Sequence, residues 1–350
     1  MRMVWLILLL SGSVGAYGAS FDCTRAQTPQ EKAICASPEL SAADDRMAAA
    51  YKVVLAAAPT EMKAEVLTGQ RAWIRGQALA CKPNDPGKSL LACLTDYEEA
   101  RTKALQHMVL RAGGVTFVWR SITLKVPDGP DDVPPEMRQY EANPGFGTLN
   151  AEWPQANDPS PEWTAWNQAI EVAARAITSP GSSSPSGKPP EKWAATGGVD
   201  QNVTTSIGIV DEDLVTATME NFWDGHGAHP NTLTSQFNWL LKEKRELQAE
   251  DTFRHRSGWD KYLQGRCDKY LHGKLDSDGT SYEDFEPPGE MAKTLHGIVV
   301  DPKNWELDSK GLTIVFQPYA VACYACTPPP MTISWGELKP YLQQGFAIPK

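Results

Sequence analysis

Val115-Thr-Phe-Val-Trp-Arg-Ser-Ile-Thr-Leu-Lys-Val126 is the stretch on which the fold turns. Upstream of it, apolar residues recur at helical spacing. Within it, β-branched and aromatic residues crowd into one run, the composition of a strand. The chain therefore changes class near Gly113. We expect a multidomain protein, with an all-α bundle ahead of this point and an α+β region with antiparallel sheet behind it. A length of 350 residues exceeds what one core commonly organises.

Upstream, Thr28-Pro29-Gln30-Glu31 combines an N-cap, a proline at the first helical position and a glutamate three residues past the cap, which starts a short helix ending near Ser37-Pro38. A second helix is predicted over Leu40–Ala57, with Ala43, Met47, Tyr51 and Val54 on one face. A third is predicted over Thr60–Ala80, with Met62, Val66, Trp73 and Ile74 inward. A fourth spans Lys88–Leu110, with Leu90, Leu94, Tyr97, Ala104 and Met108 in period. Helices this short bury a modest core, so cysteine staples matter. Cys23, Cys35, Cys81 and Cys93 lie here, and four cysteines allow three pairings. The pairing we carry forward is Cys23 with Cys93 and Cys35 with Cys81.

Ahead of the bundle, Arg2, the apolar run Val4–Leu10 and the small-residue site Ala16-Tyr17-Gly18 read as an export leader, leaving Ala19 first after cleavage near Gly18. No later stretch approaches the roughly 20 apolar residues of a membrane span. A periplasmic or secreted protein, without a span after cleavage, is expected. Cys23 lacks the small apolar residues a lipid anchor needs before it, since Ser20-Phe21-Asp22 precede, and reads as structural. Seven cysteines suit an oxidising compartment and leave at least one thiol unpaired within the chain. The formal net charge is −10, and acidic and basic side chains balance between Ala19 and Leu110, so the acidic excess falls from Arg111 onward. Such a surface argues against nucleic acid and anionic lipid, and favours basic partners.

Downstream, Trp163–Ile177 is an amphipathic helix, and Ser179–Pro190 is a Ser/Pro/Gly run read as a flexible loop over 178–190. Asn202–Val210 and Leu214–Phe222 look like a hairpin, followed by a strand over Ser235–Leu241 and a helix over Trp259–Leu271. Leu312–Phe316 and Met331–Ser334 are strand-like, and Ser334-Trp-Gly-Glu337 is a capping box opening a last helix. The expected division is a leader at 1–18, a helical domain at 19–112, an α+β companion domain at 113–200 and an α+β domain at 201–350.

The loop Asn221–Asn231 offers Asp224, His226 and His229, which could be zinc ligands or acid/base groups. Gly225, Gly227 and Pro230 instead force a turn without a third strong ligand nearby, which reads as a shaped loop presenting polar side chains. Cys323-Tyr-Ala-Cys326 matches a redox dithiol only superficially: it follows a strand and precedes three prolines, where redox pairs open a helix. A structural bridge of Cys323 with Cys326 is the expectation, beside the alternative of a zinc site that also uses Cys267. No Gly-x-Ser-x-Gly elbow and no phosphate-binding glycine pattern occur, and no carboxylate pair can be singled out. We therefore expect no catalytic residues, no metal and no cofactor. The twelve tryptophans are scattered, as core residues are, although sugar stacking would also use them.

The first domain resembles the LprI-type lysozyme inhibitor family. Its matching residues are Phe21-Asp22-Cys23, Ala26, Thr28, Glu31, Ile34-Cys35, Leu40, Asp44, Tyr51, Gln70-Arg71-Ala72-Trp73, Arg75, Cys81, Cys93-Leu94, Tyr97 and Arg101. The remainder resembles the extracellular part of RsiV-type anti-sigma factors, which bind lysozyme, and a module attached to some peptidoglycan deacetylases. The residues concerned are Gly227-Ala-His-Pro-Asn231, Asp251-Thr-Phe253, Phe316-Gln-Pro-Tyr-Ala320 and Ile333-Ser-Trp-Gly-Glu-Leu338, with Trp153-Pro-Gln155 and Asn167 similar to a companion domain. This chain departs from the anti-sigma pattern in showing no cytoplasmic domain or span, so signalling is not expected.

Both resemblances imply one ligand class, lysozyme or a related basic muramidase, and an inhibitor that is not an enzyme. The second implies contact through Gly227–Asn231 and Pro318–Tyr319. We take Asp224, His226, Gly227, His229, Pro230, Asn231, Pro318 and Tyr319 as the candidate contact set, and Trp73, Tyr97 and Arg101 as core or secondary contacts. The alternative is a peptidoglycan- or glycan-binding envelope module without inhibitory activity.

Overall fold

The computed structural model describes residues 19–83, 87–138, 144–178, 191–227, 229–275 and 289–349. The expected leader at 1–18 and the expected loop from 179 to 190 lie outside them. The chain forms two compact units that divide between Val109 and Leu110.

In the first unit, helix α1 spans Pro29–Ala36, α2 Pro38–Ala57, α3 Lys63–Ala80 and α4 Leu90–His107. The predicted capping box is present. The Glu31 amide donates to the Thr28 hydroxyl at 3.1 Å, and the Thr28 amide donates to the Glu31 carboxylate at 2.9 Å. The Thr28 amide, and with it the Gln27 amide at 2.8 Å, holds the Glu31 carboxyl below its ordinary range. Leu40, Ala43, Met47, Val54, Met62, Val66, Leu94 and Leu105 are buried. Two inward assignments are corrected: Ile74 is 51 % exposed, and Ala104 lies outside while Leu105 faces in. The buried stripe of α4 is Leu94, Glu98, Thr102 and Leu105, so the period there includes polar residues that an apolar pattern misses.

The disulfide pairing is also corrected. Cys23 bonds Cys35, and Cys81 bonds Cys93, each across 12 residues of sequence. Cys23 opens a 3-10 turn that folds back along α1, and Cys35 lies in the last turn of that helix. Cys81 caps α3, and Cys93 sits in the first turn of α4. Each bridge therefore ties a helix end to the segment beside it, where a cross-bundle link was expected.

The hairpin of β1, Val109–Ala112, and β2, Val115–Pro127, starts one residue before the division and opens the second unit. Strand β3, Phe146–Ala156, leads into helix α5, Pro161–Ala176. Strands β4, Asp200–Val210, β5, Leu214–Asp224, β6, Asn231–Leu240, and β7, Arg245–Glu246, complete a seven-stranded sheet in sequence order. Neighbours pair antiparallel except β3 with β4, which run parallel because the chain crosses over through α5. This sheet passes without interruption through residue 200, where a domain boundary was expected.

Helix α5 covers one face of the sheet. Trp163, Trp166 and Ile170 are buried there, and both tryptophans meet Phe117 edge-on at ring distances of 5.5 and 5.4 Å. Asn167 ties the helix to the strand: its Oδ1 accepts from the Ala156 amide at 2.7 Å and its Nδ2 donates to the Ala156 carbonyl at 3.0 Å. Beyond β7 come α6, Ala249–Thr252, α7, Trp259–Leu275, and α8, Glu290–Val300. A small antiparallel sheet of β8, Trp305–Leu307, β9, Gly311–Ile314, and β10, Met331–Ser334, precedes α9, Trp335–Leu338. Trp305, Leu312, Ile333, Leu263 and Cys267 share their core.

Candidate functional site

Strands β5 and β6 hold register down to Trp223 opposite Asn231, and the loop between them carries the candidate residues. Asp224 ends β5, and its carboxylate accepts the His226 amide at 2.8 Å. That bond sets His226 in the left-handed region at φ 57°, where histidine is among the more tolerant side chains. Gly227 is exposed at the tip. His229 turns the other way. Its Nδ1 lies 2.8 Å from the Pro230 carbonyl oxygen. A carbonyl only accepts, so Nδ1 carries the hydrogen, and Nε2 of the neutral ring is free to accept.

The acceptor is used. Tyr319, which the sequence places 90 residues further on, brings its hydroxyl to 2.8 Å from His229 Nε2. The His229 ring also stacks on Tyr324 with centroids 4.1 Å apart and planes 20° from parallel. Tyr319 and Tyr324 stand 5.8 Å apart, so three rings form one cluster.

Two devices hold the second loop in place. The Gln317 side chain bonds β6 as a strand would: its Oε1 accepts from the Thr234 amide at 3.0 Å and its Nε2 donates to the Thr234 carbonyl at 2.6 Å. Further along, Cys323 and Cys326 are bridged and close the 3-10 turn that carries Tyr324. Tyr319 itself sits at φ 64° and is 60 % exposed, a large aromatic held outward on a constrained backbone. Among the described residues no three His, Cys, Asp or Glu side chains gather so as to hold a metal ion. What the cluster offers is a stacked group of aromatic rings whose phenol and imidazole are bonded to one another.

The structure thus brings His229 and Tyr319 together and supplies Pro230 as the carbonyl that orients the ring. Asn231 starts β6, Pro318 precedes Tyr319, and Asp224 and His226 are bonded to one another. Tyr324 and Gln317 were missed as site residues. The tyrosine inside Cys323-Tyr-Ala-Cys326 and the glutamine of Phe316-Gln-Pro-Tyr-Ala320 were visible, but neither spacing announces contact with a loop so far away.

Other quoted segments are structural. Asp251 accepts from both Arg245 guanidinium nitrogens at 2.6 and 2.7 Å, which holds its carboxyl below the usual range. Phe253 stacks on Trp259 in the core. Ser334 and Glu337 form the predicted capping box, and Trp335 Nε1 donates to the Asp308 carbonyl at 2.7 Å. In the helical unit, Trp73 faces Tyr97 at 6.5 Å, with the Arg101 guanidinium 5.9 Å from the Trp73 ring and bonded to Gln70. Cys267 is unpaired, and burial pushes its thiol up to about 12. A groove of about 590 Å³ lies along α5, where Ala165, Ala169 and Ala173 are too short to fill the space above Phe237 and Trp239.

These features define a disulfide-stapled helical unit joined to an α+β unit that displays a rigid aromatic loop surface. No helix among the described residues is long and apolar enough to cross a membrane. Residues 23–105 match the family model described as lysozyme inhibitor LprI, and residues 261–336 match the one described as a protein of unknown function, DUF3298. This order, LprI segment first and DUF3298 segment last, agrees with the two-part resemblance read from the sequence. Among solved structures the chain is similar to a DUF3298 family protein from Pseudomonas aeruginosa PAO1, with 14 % identity, 66 % of this chain and 97 % of that one covered, and a TM-score of 0.46. It is also similar to a DUF3298 family member from Bacteroides fragilis NCTC 9343, with 15 % identity, 67 % and 96 % covered, and a TM-score of 0.43. No curated protein matches the chain.

Proposed function

We propose that this protein is exported to the cell envelope, where it binds lysozyme-type peptidoglycan hydrolases and inhibits them by occluding the substrate cleft. The observation that carries this reading is the match of residues 23–105 to a lysozyme inhibitor family. The loop surface of His229, Tyr319 and Tyr324 supports a second contact, because the exposed Tyr319, held on a constrained backbone over two partly buried rings, loses little entropy when a partner covers it. Asp224, His226, Gly227, Pro230, Asn231 and Pro318 flank that surface and complete the proposed contact set. The acidic excess beyond Arg111 favours encounter with a basic muramidase, by steering that salt weakens.

The test is a titration of the full mature chain into an animal-type lysozyme clearing a cell-wall suspension, at low and at high salt. Loss of clearing near equimolar protein, with a weaker effect at high salt, is the expected result. Full activity in the presence of a large excess, with no complex detected, would end the proposal. Pull-down by purified peptidoglycan without inhibition would favour the glycan-binding alternative.

A further inference from the structure

Among the described residues, two buried carboxylates in the helical unit lack a counter-charge. Asp44 on α2 is 4 % exposed and Glu98 on α4 is 1 % exposed. Gln77 Nε2 donates to Glu98 Oε1 at 2.7 Å, while Glu98 Oε2 is buried with no partner among the described residues. Among those residues neither carboxylate forms an ion pair with Lys, Arg or His. Arg101, three residues along α4, spends its guanidinium on the Gln70 amide oxygen. Burial, and then the neighbouring Asp44, push the Glu98 carboxyl up to about 7, an uncompensated site.

The start of the described chain reaches Asp44, whose charge in turn acts on Glu98. The Ser20 amide donates to Asp44 Oδ2 at 2.6 Å, and Ala19 packs, partly buried, against the core of Ile34, Leu40 and Leu94. Covalent geometry keeps the Ala19 nitrogen within about 4 Å of the Ser20 nitrogen. While Ala19 is joined to Gly18, that nitrogen is a neutral amide.

We propose that Asp44 and Glu98 are the receptor for the chain's own α-ammonium, made when the leader is cut between Gly18 and Ala19. A leader peptidase adds one water across that amide, leaving a carboxylate on Gly18 and an amine on Ala19, which takes up a proton. The new group brings a positive charge and three donors to a place where the amide offered one donor and no charge. Cleavage thereby completes the core of the helical unit, and the uncut chain holds this unit less firmly.

The experiment compares two full chains, one starting at Ala19 and one retaining Tyr17-Gly18 ahead of it, by hydrogen exchange of the α2 and α4 amides. About tenfold slower exchange in the Ala19 chain is expected, with the difference erased by Asp44→Asn. Equal exchange in the two chains overturns the proposal, and so does a difference that survives Asp44→Asn. Should that variant fail to fold, the α-amine of the unsubstituted Ala19 chain is titrated by NMR after isotopic methylation, alongside a methylated short peptide of the same first residues. A value above that of the peptide supports the site, and an equal value overturns it. Sequencing of the exported product is the remaining check: a first residue other than Ala19 also overturns it. None of these outcomes depends on lysozyme binding.

Discussion

Replacing Glu98 by Gln isolates the electrostatic cost of the buried carboxyl, because Gln keeps its volume and can still accept from Gln77 at Oε1. A carboxyl that holds its proton more tightly folded than unfolded couples folding to proton uptake. Its stability contribution is complete below the ordinary carboxyl value of 4.5, falls as pH rises toward about 7, and levels off above that. The interval between those values converts to about 3 kcal/mol. In the chain that retains Tyr17-Gly18, Glu98→Gln is therefore expected to be close to neutral at pH 4.5 and stabilising by about 3 kcal/mol at pH 8. The assay is exchange of the α4 amides at both pH values, corrected for intrinsic rates, with protection at pH 8 rising about 100-fold in the variant. A variant equally stabilised at both pH values, or destabilised at pH 8, would refute the reasoning. In the Ala19 chain the gain at pH 8 is expected to shrink, since an ammonium then faces the charge.

Tyr319→Ala is expected to weaken lysozyme binding at least tenfold, measured by titration calorimetry, with an unchanged melting temperature because the side chain is 60 % exposed. Replacing Cys81 and Cys93 together by Ser opens a link of 12 residues and is expected to cost the helical unit about 3 kcal/mol in urea unfolding. Trp166→Ala empties a position that is 0 % exposed under α5 and is expected to cost about 3–5 kcal/mol in the same assay on the second unit.

Much of the fold was legible because its signals are local. The Thr28 and Ser334 capping boxes, the hairpin from Asn202 to Phe222 and the amphipathic pattern of Trp163–Ile177 each lie within a few turns of chain, and each formed. The failures share a physical cause, since they concern partners that sequence spacing does not encode. Burying Glu98 and Thr102 on α4 depends on what α2 and α3 present to them, so an apolar period chose Ala104 in their place. The cysteines paired by how the chain folds back at each helix end, each with its neighbour 12 residues along the sequence; the two close pairs were visible, but closeness in sequence does not by itself fix connectivity.

The site follows the same division. Composition alone marked the 221–231 loop as shaped, because glycine and proline fix backbone freedom wherever they stand. What makes it a surface is the encounter of His229 with Tyr319 and Tyr324, which needs both the register of β5 against β6 and the Gln317 clamp on Thr234. The clamp fixes the height of one loop against the other, and the Cys323–Cys326 bridge fixes the turn that presents Tyr324. Loss of either device would leave the side chains present and the surface gone. The proposed contact surface therefore rests on Gln317 as much as on its rings, and both bonds of that side chain go to the Thr234 backbone.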